Sequence, residues 1–256
     1  MDCICRDLGG DRRLVYAWFS AMHTRMDMVV WDDGLELETI KSVCRRVEEE
    51  AGRIERMGSC FLKGSEVSKI NMAPAGEPVE VSEELFCILE NCRRHCAETE
   101  GLFDVTVSQQ LPGVPFDSKL RLQEDRRTVM RLKDGVKVNL SGYLKGYALD
   151  KAFVIVKESG IRNGLLNFGN SSVLVFGCHP QGDGWMVETV GGKSYSLHDE
   201  CLTTSGNDTQ QRRHIIDPHT GNIKEGKGMV SVITPTAEAG EVQSTVSFIK
   251  NNIKTY

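Results

Sequence analysis

The chain has 256 residues, 40% of them hydrophobic and 7% aromatic, and a formal charge of −5 from 31 basic and 36 acidic side chains. That balance excludes a chain that is mainly disordered, and the absence of long single-sign blocks excludes the basic footprint of a nucleic-acid binder. No run of 18 apolar residues is present, so no membrane-spanning helix is expected.

Taken in order, residues 14–31 predict two strands rich in β-branched and aromatic residues, separated by the polar stretch His23-Thr24-Arg25. The run 14–22 follows Arg12 and Arg13 but includes Ser20 and is preceded by acidic residues, so it reads as a strand and not as a signal segment. After Asp33-Gly34, Leu37, Ile40, Val43 or Cys44, Val47, Ala51 and Ile54 recur at three- and four-residue steps, which predicts a long amphipathic helix. A second helix is predicted from the N-cap Ser82, with Glu83 and Glu84 in its first turn, to just before Gly101, burying Leu85, Phe86, Leu89 and Cys96.

A third helix is predicted over 143–158, closed by Gly160 at its C′ position. Strands are then expected at 165–168, 173–176, 185–190 and 194–197, with Gly191-Gly192 turning the last pair, and at 212–216 and 229–233. A helix from Ala237 to about Lys250 ends the chain. This order lacks regular strand–helix–strand alternation and so predicts an α+β fold with N-terminal helices and a mostly antiparallel sheet.

The 25 glycines against 7 prolines point to tight turns and close backbone approaches. The nine cysteines are odd in number, and Cys87, Cys92 and Cys96 lack the spacing of convergent ligands, so they are expected to be structural thiols in a reduced, cytoplasmic setting.

Several clusters offer chemistry. Glu241 and Thr245 stand one helical turn apart and present a carboxylate and a hydroxyl, which suits a hard cation, although a solvated helix face explains them as well. His214-Ile-Ile-Asp217-Pro-His219-Thr-Gly221 ends an apolar run in a turn carrying imidazoles and a carboxylate, which could supply a general base or a phosphate contact, or be a self-capped turn. Gly142-Tyr-Leu-Lys145-Gly146 at a helix entry could set backbone N–H groups and an ammonium against a phosphate. Ser205-Gly206-Asn207 and Leu166-Asn167-Phe168-Gly169-Asn170 read as turns after strands, and Met22, Phe61 and Phe103 could stack on a flat ring or fill the core.

In chain order these strings form a set: Met22-His-Thr24, Ser65-Glu-Val-Ser-Lys-Ile-Asn71, Gly101-Leu-Phe-Asp104-Val-Thr106, Asn139-Leu-Ser-Gly-Tyr-Leu-Lys145-Gly146-Tyr-Ala-Leu-Asp150, Leu166-Asn167-Phe-Gly169, Ser205-Gly206-Asn207, His214-Ile-Ile-Asp217-Pro-His-Thr-Gly221 and Glu241-Val-Gln-Ser-Thr245. The set resembles the ApbE family of FAD:protein FMN transferases, over about residues 14–250. The resemblance implies a T-fold-like α+β architecture, as one domain over 1–256 or two intimately packed subdomains. It also implies transfer of FMN from FAD to a Ser or Thr hydroxyl in the target motif of an acceptor flavoprotein, with AMP leaving and magnesium required.

By position, the resemblance assigns magnesium to the Gly142 carbonyl, Glu241 and Thr245, and FAD to Met22, Phe61, Phe103, Asp104, Asn139 and Lys145. His214 with Asp217 would contact phosphate or assist deprotonation of the acceptor hydroxyl. Family members are often exported lipoproteins, whereas no leader or lipobox is read in this sequence. The chain departs from the family pattern at His23 (usually Gly), Phe61 (commonly Tyr), Asn139 (usually Asp) and Glu241 (usually Asp), and in a short 107–136 connection. These departures keep two alternatives in view, a non-catalytic FAD-binding homologue and a pyrophosphatase that yields FMN and AMP.

Overall fold

The computed structural model describes residues 1–34, 36–189, 191–207, 214–225 and 227–251. Its strands are β1 (Asp2–Gly9), β2 (Arg12–Ala21), β3 (Thr24–Asp33), β4 (Pro78–Glu80), β5 (Leu120–Gln123), β6 (Thr128–Arg131), β7 (Asn163–Phe168), β8 (Ser172–Phe176), β9 (Trp185–Glu188), β10 (Ser194–Leu197), β11 (Cys201–Asn207) and β12 (Gly228–Thr234). Its helices are α1 (Leu37–Gly58), α2 (Glu66–Met72), α3 (Glu83–Glu98), α4 (Leu144–Glu158) and α5 (Ala237–Lys250). The chain divides into two compact units: 1–55, 143–205 and 231–244 form the first, and 56–142, 206–230 and 245–256 the second.

The first unit is organised by a seven-stranded sheet in the order β1-β2-β3-β7-β8-β11-β12. The pairs from β1 through β3, β7 and β8 to β11 are antiparallel. Alternation sets its two faces. Val15, Ala17, Phe19, Met26, Met28 and Val30 point to one side and are buried. On the other side Trp31, Val173, Val175 and Leu202 pack with Trp185, Val187 and Leu197 of the β9–β10 hairpin. Every residue of β8 is buried, as expected for a strand covered on both faces. Helix α4 packs on β7 and β8, and Gly160, at φ +83°, closes it with an N–H to the Lys157 carbonyl.

The second unit holds α2, α3 and a three-stranded antiparallel sheet, β4-β6-β5. Ser65 and Ser82 cap α2 and α3 by accepting the N–H of Ser68 (2.9 Å) and Leu85 (3.3 Å). The buried Arg131 guanidinium donates to the carbonyls of Ile70 (3.0 Å), Val136 (2.8 Å) and Ala73, which joins the end of α2 to β6 and to the segment that follows. Asn71 clamps that segment from both sides, donating to the Val138 carbonyl (2.8 Å) and accepting its N–H (2.7 Å).

The helices predicted at 37–54, 82–100, 143–158 and 237–250 are present as α1, α3, α4 and α5. The first hairpin differs from its prediction: only Met22 and His23 turn, and Thr24 and Arg25 pair with Ala21 and Ser20 as β3. Polarity marked the wrong residues because β3 begins on a solvated face. Ser205-Gly206-Asn207 is strand and not turn. A Cβ at Gly206 would lie 2.3 Å from the Gly228 carbonyl oxygen, so glycine serves close strand approach there. The expected strand at 212–216 falls partly outside the described residues, and His214–Ile216 form no strand beyond one bridge from Ile216 to Ile223. β9 ends at Glu188, and Val190 lies outside the described residues. The chain also opens with three strands before any helix, because β1 adds to the expected pair.

All nine cysteines are free. Burial pushes the thiols of Cys44 and Cys96 up to about 12 and about 11, as packing residues would show.

Replacing Arg131 by Ala would leave three carbonyls without their donor, so Arg131→Ala should lower the unfolding free energy by about 3 kcal/mol, read from the shift of the urea midpoint at unchanged slope.

Candidate functional site

In the first unit, the chemistry gathers where the start of α4 meets α5. Lys145 lies in the first turn of α4, and its ammonium donates to Glu241 Oε1 (3.0 Å) and to Ser171 Oγ (2.9 Å). Ser172 Oγ donates to the same Glu241 oxygen at 2.7 Å. Glu241 is only 4% exposed, so its charge is held by this cation and this hydroxyl and not by bulk water. The α4 N-terminus has no side-chain cap, which leaves its positive dipole end and first N–H groups beside Lys145.

Backbone geometry makes this contact possible. A Cβ at Gly146 would lie 2.6 Å from the Ala237 carbonyl oxygen and 2.7 Å from Glu241 Cγ, so only glycine lets α5 approach α4 here. One turn further along α4, Asp150 accepts the N–H groups of Ala237 and Glu238, each at 2.9 Å, and caps α5. Lys145, Gly146 and Asp150 thus fix the start of α5 together, which accounts for their shared spacing. Ser171 and Ser172 arrive through the β7–β8 turn, where Asn167 and Asn170 hydrogen-bond each other through both side chain and backbone.

Burial pushes the Asp150 carboxyl up to about 6, outweighing the lowering by the Glu238 and Ala237 N–H groups. The uncapped helix end, the ammonium and the hydroxyls suit a phosphate, while Glu241 and the neutral oxygens near it are hard donors of the kind magnesium takes. Among the described residues no three His, Cys, Asp or Glu side chains converge. A cation here would therefore rest on one carboxylate and complete its shell with neutral oxygens, waters or phosphate.

Met22 lies in the β2–β3 turn, which adjoins the β7–β8 turn carrying Ser171: the Gly169 N–H donates to the Arg25 carbonyl at 3.0 Å. Met22 and His23 form the two-residue β2–β3 turn at φ 52° and 58°, conformations that ordinarily favour Asn or Gly. Beside it is a shallow depression of about 440 Å³ lined by Ser20, Ala21, Met22, His23, Thr24, Arg25 and Glu55, and neither Lys145 nor Glu241 is part of it.

In the second unit Phe61 is 67% exposed, whereas Phe103 is buried with its ring edge-on to His95 at 6.4 Å. Asp104 is buried and fully engaged: Oδ1 accepts from the Thr106 N–H (2.8 Å) and hydroxyl (2.6 Å), and Oδ2 pairs with the buried Lys119 ammonium. Asn139 is exposed and accepts the Ser141 N–H at 3.0 Å, and Gly142 is exposed. His214 is exposed, while Asp217 accepts the His219 N–H at 2.9 Å, as a self-capped turn does. The His219 ring bonds the Glu100 carbonyl at 2.8 Å and so ties the 217–221 turn to the Gly101 turn. Thr245 is half-buried on α5, one turn beyond Glu241.

Sequence reasoning gave no role to Ser171, Ser172, Asp150 or Lys119. Asp150 closes the Lys-Gly-Tyr-Ala-Leu-Asp string and the serines follow Asn167-Phe-Gly-Asn170, so position alone could have flagged three of them. Lys119 carried no local signal.

Two measurements test this architecture. Gly146→Ala should lower stability by about 1–3 kcal/mol and reduce the thermal midpoint, because the new methyl meets backbone and the Glu241 stem. The folded chain holds the Asp150 proton more tightly than the unfolded one, whose carboxyl titrates near 3.8. This group's contribution to stability therefore falls as pH rises from 3.8 to about 6 and is constant above. Relative to Asp150→Asn, the wild-type unfolding free energy should fall by roughly 1–3 kcal/mol across that window, measured by denaturant titration at each pH.

A family model described as the ApbE family matches residues 22–255. A FAD:protein FMN transferase of Chlamydia pneumoniae is 28% identical over 244 residues, covering 78% of this chain and 76% of the relative. One of Escherichia coli strain K12 is 22% identical over 253 residues, covering 83% and 72%. Among solved structures, the ApbE protein of Thermotoga maritima superposes with a TM-score of 0.81 at 24% identity, over 94% of this chain and 88% of that one. The flavin transferase ApbE of Vibrio cholerae gives 0.76 at 20% identity, over 93% and 87%. The folds agree, and with the family model spanning nearly the whole sequence, the chain belongs to the ApbE family.

Proposed function

We propose that this protein is a magnesium-dependent FAD:protein FMN transferase that moves FMN from FAD to a Ser or Thr hydroxyl of an acceptor flavoprotein and releases AMP. The observation that carries this reading is the family match over residues 22–255, supported by relatives named for that reaction. The acceptor oxygen forms a bond to the FMN phosphorus. The P–O bond to the AMP phosphate breaks, and AMP leaves with the bridging oxygen. Such a reaction needs charge neutralisation and alignment more than a protein nucleophile.

Within the first unit, Lys145 and the uncapped α4 N-terminus offer positive charge and N–H donors to the pyrophosphate. Glu241, with Gly142 and Thr245 as the family resemblance assigns them, would hold magnesium, whose role is to stabilise charge on the phosphoryl oxygens. The hydroxyl proton of the acceptor is assigned to His214, with Asp217 closing the turn that follows it.

A second reading is a flavin binder without transferase activity. It is favoured by Asn139, an amide whose oxygen is already engaged by the Ser141 N–H. Incubation with FAD, magnesium and an acceptor protein carrying a Ser/Thr target motif separates the two. Transfer gives a fluorescent protein band on a denaturing gel and one AMP per flavin attached, and Glu241→Gln should slow it by about a hundredfold. Tight FAD binding with neither band nor AMP would favour the second reading, and free FMN with AMP in the absence of acceptor would mark hydrolysis.

A further inference from the structure

Lys145 and Glu241 make an unusual pair for a site that takes both a cation and an anion. The ammonium sits on Oε1 of the carboxylate assigned to the metal, at a position that leaves Glu241 4% exposed. The same oxygen also accepts from Ser172, and the ammonium is steadied by Ser171, so the pair is anchored at both ends. A divalent cation approaching Glu241 meets Lys145 as a like charge at hydrogen-bond distance. If Lys145 withdrew without replacement, Glu241 would be left buried and uncompensated. Each partner is therefore released cheaply only when the other charge arrives.

We propose that Lys145 is a resident counter-ion for Glu241 that yields its place to magnesium only when a phosphate accepts its ammonium, so that metal and phosphate bind this site with positive coupling. This rests on the reading above that Glu241 is a magnesium ligand, and it goes beyond that reading by giving Lys145 a second station. The lysine is one flexible side chain, 23% exposed, at the edge of an uncapped helix N-terminus. Turning from Glu241 toward an anion at that helix end needs rotamer changes only. Apo protein would thus keep Glu241 neutralised, and magnesium would bind weakly until the phosphate-bearing substrate is present.

The test is calorimetric titration of magnesium into the intact protein, in chloride and in inorganic phosphate at matched ionic strength, with free magnesium corrected for its phosphate complex. In wild type, phosphate should tighten magnesium by about tenfold or more. Lys145→Met should bind magnesium in chloride about tenfold more tightly than wild type does, with little further gain from phosphate. Lys145→Gln, which keeps a donor for Ser171 without the charge, should behave like Lys145→Met, and Lys145→Arg should restore the phosphate dependence.

Wild-type affinity that ignores phosphate would overturn the inference, as would uncharged variants that keep the wild-type affinity in chloride and its full phosphate effect. If magnesium binds but Glu241→Gln does not weaken it, or if it binds in neither buffer, the metal assignment itself fails and the inference with it. If Glu241→Gln abolishes binding while Lys145 substitutions change nothing, only the counter-ion role is lost.

Discussion

The structure of the candidate site depends on one buried charge. Glu241 is carried inside by α5, where a carboxylate is costly to desolvate, and it is tolerated because Lys145 and Ser172 meet its oxygen. That contact requires α4 and α5 to approach more closely than any side chain at residue 146 would permit, and it requires α5 to begin at a fixed place, which Asp150 sets by capping it. The β7–β8 turn must then deliver two consecutive serines to the same spot, and the crossed hydrogen bonds of Asn167 and Asn170 hold it in shape. Helix packing, capping and turn chemistry all converge on a single ion pair.

The second unit follows a comparable logic without a sheet of the same size. Buried polar side chains do the joining: Arg131 collects three carbonyls, Asn71 pairs with both backbone groups of Val138, and Asp104 is shared by Thr106 and Lys119. Such groups are favourable only when every donor and acceptor is answered, so each fixes the geometry of several segments at once. His219 works the same way at the surface, linking two turns whose residues are more than a hundred positions apart. The motif strings that look catalytic in the sequence are thus in part structural: Asp104 and Asp217 use carboxylate oxygens on their own folds.

Much of the helical content was legible in advance. α1, α3, α4 and α5 announce themselves through apolar steps of three and four, through Ser82 as a cap and Gly160 as a stop. Strand β1 was not foreseen because Cys3, Arg6 and Asp7 give no clean alternation, and an edge strand needs little burial. Helix α2 is two turns long and was hidden inside a motif, and β11 ends in Ser-Gly-Asn, residues that favour turns until neighbouring strands claim their backbone. In the site, Lys145 and Glu241 were singled out from sequence, yet their contact spans 96 positions and no local pattern predicts it.

By itself, the sequence determined the four longer helices, which family pattern the chain follows, and which side chains carry charge and hydroxyls, because periodicity, capping and motif order are local properties of the chain. Only the tertiary structure decided which of those groups meet: that Glu241 is buried against Lys145, that Asp150 starts α5, that Ser172 completes the carboxylate's hydrogen bonds, and that Asp104 is closed off by Lys119. The reason is physical. Desolvation, close approach and long-range pairing depend on what the rest of the chain places nearby, and those neighbours exist only after folding.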